Sequence, residues 1–470
     1  MGSASGVRPL LWAAGAVAVG VGVAVVLMTP WDPQPAWDAQ PPLDSSPAAP
    51  GDGVAPVPVA TDPSLDFTAA EQAAGEAYRG AVRPPAYLAL AVGLLTTVAV
   101  GLTPLGVRLV RRLPSPRWAP VLVPGLLAGL LVLLAVRLVT LPMSAWQESV
   151  RRDVGLSTRD WGSWALDLTR GFGIQAALTL TAVLAVVLLA RRWPQRWWMV
   201  AAPGAAGLVV AASLAYPLLV EPAFNRFEPL RDEQLRTSLL AVAEAEGVAV
   251  GDVLVADASR RTTALNAYVS GLGPTKRVVL YDTLLESAPS DEIELVVAHE
   301  LAHAREGDVL RGTLLGAGGA ALSVLLIALA ASWRPLTARA GLGGDSRVSG
   351  GSDAFGTGTA ASGAVLGRAE AVPFVLAAVT VLGFVAGPGE ALVSRHIEAR
   401  ADAIALEITQ DADTFVRMQR TLALASLSDL DPPRALHWWF ASHPTAPERI
   451  AMARTWATAT NGPVPPPLAP

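Results

Sequence analysis

Seven stretches of this chain are uncharged and long enough to cross a bilayer, and no other feature limits its fold so sharply. They are residues 9–31, 84–107, 118–136, 171–190, 197–220, 312–333 and 371–389. A spanning helix takes about 20 apolar residues, and inside the membrane every backbone amide has to find its partner within the protein. A single run of this kind reads equally well as a buried core helix. Seven in one chain predict an integral membrane protein, and composition agrees, with 52% hydrophobic and 16% charged residues. The first run follows Arg8 like a secretory signal, but its length and the lack of a clear cleavage site predict an uncleaved anchor.

The remaining segments complete the plan. Residues 1–31 hold the first span, and 32–83 form a loop rich in Pro, Ala and Asp in its first half, with helical character from Phe67 to Tyr78. Spans two to five occupy 84–220. Residues 221–309 are the one substantial polar domain. Within it, Asp232 to Gly247 has helical spacing, with Leu235, Leu239, Leu240 and Val242 on its apolar face. Residues 253–256, 266–270 and 277–281 read as short strands, with a turn at 271–274. The sixth span covers 310–333, a Gly/Ser-rich flexible loop 334–370, and the seventh span 371–389. A polar helical part, 390–460, and a Pro-rich tail, 461–470, end the chain. The expected fold class is a mainly α membrane protein with seven transmembrane helices and a small α+β domain.

That domain carries the chemistry. His299-Glu300-Leu301-Ala302-His303 is an HExxH pattern in a helix-forming context that begins at Asp291. Residues four apart stack on one helix face, so both imidazoles can reach one ion, and Glu300 between them is placed to take a proton from an attacking water. Two neutral imidazoles suit Zn²⁺. With no cysteine in the chain, the site has to be completed by His or carboxylate. An HExxHxxGxxH extension would need Gly and His where the chain has Glu306 and Val309. A later helix instead offers Glu398, with Asp402 one turn on. Alone, that pair reads as a solvated face tied to Arg395 and Arg400. Beside an incomplete zinc site it reads as the third ligand and a carboxylate that orients a ligand histidine. His396, two residues from Glu398, falls on another face. His437 among Trp438, Trp439 and Phe440 reads as packing. His443, held between Ser442 and Pro444, reads either way.

These residues carry a family resemblance. The chain resembles the type I CAAX prenyl proteases, membrane zinc endopeptidases of the gluzincin class, and more distantly the HtpX-type proteases. Besides HExxH, the matching features are Pro142, Trp146, Gly155-Leu156-Ser157, Trp164 and Asp167, then Pro222-Ala223-Phe224-Asn225-Arg226-Phe227-Glu228-Pro229-Leu230. Asn266-Ala267-Tyr268, Ser394-Arg395 with Glu398 and Asp402, Ser442-His443-Pro444 and Glu448-Arg449 follow in order. The resemblance implies one zinc per chain on His299, His303 and Glu398, with Glu300 as general base. It also implies a substrate strand along Asn266, Ala267 and Tyr268, and places His443 and Arg449 near the scissile carbonyl or in support of the site. Thr445 replaces a second proline usual in the family, and the 32–66 and 334–368 segments are unusual in composition. Prenylated substrates are a eukaryotic feature, so substrate identity does not transfer.

A net charge of −5 is too mild to imply a nucleic-acid partner, and none is expected. The expected partners are a peptide or protein substrate and the lipid bilayer. The rival reading is a seven-helix transporter or receptor with a structural metal site, but its spans would need polar residues that these almost lack. A catalytically inactive scaffold is disfavoured by the intact Glu300. One Lys against 34 Arg is the usage of a GC-rich bacterial genome, which predicts an inner-membrane location. The second, fourth and sixth loops hold 11 Arg and the first and third hold six, so the positive-inside rule puts the zinc site outside the cytoplasm.

Overall fold

The computed structural model describes residues 7–32, 61–271, 273–343 and 359–469. Among them, seven helices are long and apolar enough to cross a membrane. They comprise Arg8–Met28, Ala69–Gly101, Leu122–Asp153, Trp161–Arg192, Trp197–Ala215, Asp308–Ser332 and Val372–Thr409. The fifth continues through a π-helical turn, Tyr216–Val220, into the short helix Glu221–Phe224. Outward-facing Leu11, Leu27, Leu95, Leu138 and Val385 remain exposed, as expected of side chains that meet lipid.

Several expectations are modified by packing. The helical stretch at Phe67–Tyr78 and the second span are one helix of 33 residues that passes through Pro84 and Pro85. A Pro pair costs helix hydrogen bonds. The turns before it are held from outside, because Arg79 donates to the Leu427 carbonyl, Arg420 pairs with Glu71, and Arg83 pairs with Asp429. The helix ends where Gly101 crosses the seventh span. A Cβ there would collide with the Pro373 carbonyl and Ala377. In the expected flexible loop, Arg334–Arg339 and Thr359–Leu366 are helical, since Leu342, Leu366 and Ala369 are buried in the membrane core. Residues 344–358 of that loop, and 33–60 of the Pro-rich one, lie outside the described residues.

The polar domain holds a four-stranded sheet in the order β1-β2-β4-β3, from β1 Phe227–Pro229, β2 Asp252–Ala256, β3 Ala267–Ser270 and β4 Arg277–Tyr281. β2 and β4 are parallel, and both outer pairs are antiparallel. β3 is therefore an edge strand. Helix Glu233–Ala245, capped by Asp232, packs with the sheet and with helix Ser290–Glu306 around Leu239, Leu280, Leu284 and Val297. The same core takes in Phe67, Phe415 and Trp456, so the domain is assembled from distant parts of the chain. The Pro-rich tail belongs to it as well. Buried Arg454 holds Asp66 with two bonds of 2.8 and 2.5 Å and also donates to the carbonyls of Pro465 and Pro466.

The odd-numbered loops gather at the domain end of the bundle, where Thr262 bonds the Leu156 carbonyl and Trp31 meets His396. The even-numbered loops meet at the other end, where Trp197 reaches Ser362 and Arg111 approaches Glu370.

Candidate metal centre

Helix Ser290–Glu306 begins with Asp291 and Glu292 in its first turn, where acids complement the helix dipole. It stops at Gly307, whose φ of +68° is a left-handed cap that a glycine takes without strain. Asp308 then opens the sixth span directly. The helix is buried along Val296, Val297, Ala298 and Leu301, and this fixes which face carries His299 and His303.

The two Nε2 atoms lie 3.2 Å apart. Glu398, in the C-terminal half of helix Val372–Thr409, places Oε2 3.2 Å from His299 Nε2 and Oε1 3.6 Å from His303 Nε2. Among the described residues these three form the one group arranged to hold a metal ion. The outer nitrogens are also engaged. His299 Nδ1 is 2.8 Å from buried Asp402, and His303 Nδ1 is 3.0 Å from Asp308. When both imidazoles are neutral and give their Nδ1 protons to these carboxylates, the Nε2 lone pairs point toward each other and toward Glu398, whose Oε2 is buried without a hydrogen bond. Acceptors facing acceptors are repulsive unless a cation sits among them. Two imidazoles and a carboxylate, each imidazole backed by an acid, fit Zn²⁺.

Charge favours the same conclusion. Burial disfavours an imidazolium at His299, but Asp402 and Glu398 outweigh it and raise its pKa to about 10. A field that retains a proton so strongly also draws a divalent cation. Burial raises the pKa of Glu300 against the pull of the two histidines, and Glu300 makes no ion pair or hydrogen bond among the described residues. His443 is 56% exposed with Nε2 3.3 Å from Glu398, and its Nδ1 meets Ser442 Oγ at 2.8 Å. Burial of the ring's inner side lowers its pKa.

Arg449 clasps Asp402, with Nε 2.7 Å from Oδ2, and approaches His299 Nδ1 at 3.5 Å. Asn266, Ala267 and Tyr268 lead into the edge strand β3, which packs beside the motif helix, and the Asn266 carbonyl accepts from Tyr281. His396 turns away to the Leu392 carbonyl, Glu306 is taken by Arg311 and Arg400, and His437 approaches Glu448. Sequence reasoning missed Asp308 and the Arg400 that pairs with it. Asp308 is five residues past His303 and across a left-handed turn, so helical spacing gives no sign of it.

Comparison with known proteins gives concordant results. A family model described as peptidase family M48 matches residues 229–457, and one described as CAAX prenyl protease N-terminal, five membrane helices, matches 87–226. The chain is 30% identical over 327 residues to the uncharacterized metalloprotease YhfN of Bacillus subtilis (strain 168), covering 68% of this chain and 71% of that one. It is 38% identical over 102 residues to CAAX prenyl protease 1 of Saccharomyces cerevisiae, covering 22% of each. The crystal structure of S. mikatae Ste24p superposes with a TM-score of 0.69 at 19% identity, covering 94% of this chain and 98% of that one.

Proposed function

The chain belongs to peptidase family M48 and is a multi-pass membrane metalloprotease, and from that premise we propose that it is a zinc endopeptidase cutting peptide bonds at His299, His303 and Glu398. The observation that carries this reading is the convergence of His299 Nε2, His303 Nε2 and the Glu398 carboxylate, with separations of 3.2 to 3.6 Å. One zinc per chain would be held there, supplying Lewis acidity at the scissile carbonyl and making water a nucleophile near neutral pH. Glu300 takes the proton of the attacking water. Its burial makes the carboxyl a good holder of that proton until it passes to the leaving amine. Asp402 and Asp308 fix the two ligand histidines, and Arg449 holds Asp402 in place beneath the substrate's path. His443, with Ser442 on Nδ1, presents Nε2 toward the ligand carboxylate and the reacting centre, where it can donate to developing negative charge.

The substrate lies along Asn266, Ala267 and Tyr268 as an added strand on the open edge of β3, where backbone bonds give affinity without a strict sequence rule. Substrates are peptides or proteins, including those at the membrane. The arginine-rich even loops support an extracytoplasmic metal centre in a bacterial inner membrane. Glu300→Gln tests the chemistry. The variant is expected to retain roughly one zinc per chain and lose most turnover, because the ligands survive and the base does not. Full activity in it would remove Glu300 from the mechanism.

A further inference from the structure

A second charged constellation lies apart from the metal centre. The uncharged run of the third span is interrupted at Arg137, inside helix Leu122–Asp153. The Arg137 guanidinium has no ion pair or hydrogen bond among the described residues, and its Nε is buried. An ionised side chain left unpaired on a spanning helix is costly and points to a ligand. It lines a cavity of about 360 Å³ together with Arg159, Arg261, Trp164, Asp167 and Phe172. Trp164 and Asp167 belong to the sequence pattern before the fourth span that the peptidase chemistry leaves unexplained.

The charges in this cavity do not balance. Arg159 meets buried Glu148 at 2.7 Å and Asp167 at 3.7 Å. Arg261 donates to the Phe224 carbonyl and the Asn225 side chain, both neutral. The three lining guanidiniums face two carboxylates, Glu148 and Asp167, and this leaves one positive charge unmatched among the lining arginines. Depth supplies the other half of the argument. Arg137 is 15 residues into its helix, about 22 Å from Leu122 at 1.5 Å per residue, and exposed Trp118 marks the opposite boundary. On the fourth helix, Gly171 of the same cavity begins the apolar run. Both spans therefore put the cavity where the phosphates of one leaflet sit.

We propose that this cavity binds a phosphate-type oxyanion. Guanidinium forks match its oxygens in pairs, and a single surplus charge fits a phosphodiester, the linkage in an anionic phospholipid headgroup, better than a free phosphate dianion. The site is separate from the metal centre, since none of its lining residues is a metal ligand or part of β3.

The test uses the full chain, purified in detergent and delipidated, with phosphatidylglycerol as one probe and inorganic phosphate as the other. Binding is read by native mass spectrometry and by the thermal midpoint. Phosphatidylglycerol is expected to bind one per chain and raise the midpoint. Arg137→Gln should weaken it about 10–100-fold, as loss of a charged hydrogen-bond donor does, with zinc content unchanged. Arg261→Gln provides the same measurement if Arg137→Gln folds poorly. Saturable binding of inorganic phosphate with the same arginine dependence supports the oxyanion site and identifies the free ion as its source. Equal phosphatidylglycerol binding in the parent and both variants overturns the proposal. So does binding of neither probe, including the case where the variants only raise KM for a peptide.

Discussion

At the candidate metal centre, each histidine is held by an acid, but only one of the two acids is visible in the sequence. Asp402 stands four residues after Glu398, and the shared helix face gives it away. Asp308 reaches His303 because Gly307 turns the chain back with a positive φ, and no periodic pattern records that turn. Replacing either acid by Ala is expected to weaken zinc binding or activity about 10–100-fold without unfolding the protein. Glu398→Ala should exceed that range, because a ligand itself is lost, and zinc titration followed by residual turnover separates the two classes. Normal zinc affinity in Glu398→Ala would require another third ligand. Away from the site, Glu246 is buried with both carboxylate oxygens unpaired, and burial pushes its pKa up to about 7 despite Arg305 and His299. A carboxyl whose folded pKa is raised contributes nothing adverse below its unfolded value and costs stability as pH rises through the folded one. The parent should therefore lose up to a few kcal/mol between pH 5 and pH 8 that Glu246→Gln does not lose. Thermal midpoints at the two pH values measure this, and parallel shifts would count against the burial argument.

Helices and strands were legible in proportion to how local their causes are. Helix Glu233–Ala245 carries its cap and apolar face in its own residues, and the expected span of Asp232 to Gly247 follows it closely. β1 has three residues, too few to show alternation, and exists because it pairs with β2. The fusion of residues 69–83 with the second span depends on partners some 350 residues away, so Pro84 and Pro85 gave a misleading stop. The edge position of β3 is also a tertiary fact, and the Asn266-Ala267-Tyr268 motif pointed to it only through resemblance. Asn266→Ala is expected to raise KM or lower kcat for peptides while zinc stays bound. Zinc loss in that variant would make the segment structural. Between the motif helix and the sixth span, Gly307→Ala places a Cβ in the left-handed region at a cost of about 1–2 kcal/mol, and the midpoint of unfolding should fall by a few degrees.

For the whole molecule, seven spans and their alternation could be read from hydropathy, because lipid imposes the same demand on every crossing. Which end faces the cytoplasm depends on flanking charge. An exported reporter fused after Pro470 is expected to be active, and a cytoplasmic one silent. The reverse pattern would move the metal centre and its substrates to the cytosol. Whichever side it faces, the centre is joined to the bundle at two points. His303 is five residues from the start of the sixth span, and Glu398 rides on the last turns of the seventh. The helix of the two histidines thus leads across Gly307 into the sixth span, and the third ligand stands on the helix of the seventh. A change in the angle between those two helices would shift Glu398 against the histidine pair, so the bundle is part of the frame in which the ligand triangle is set.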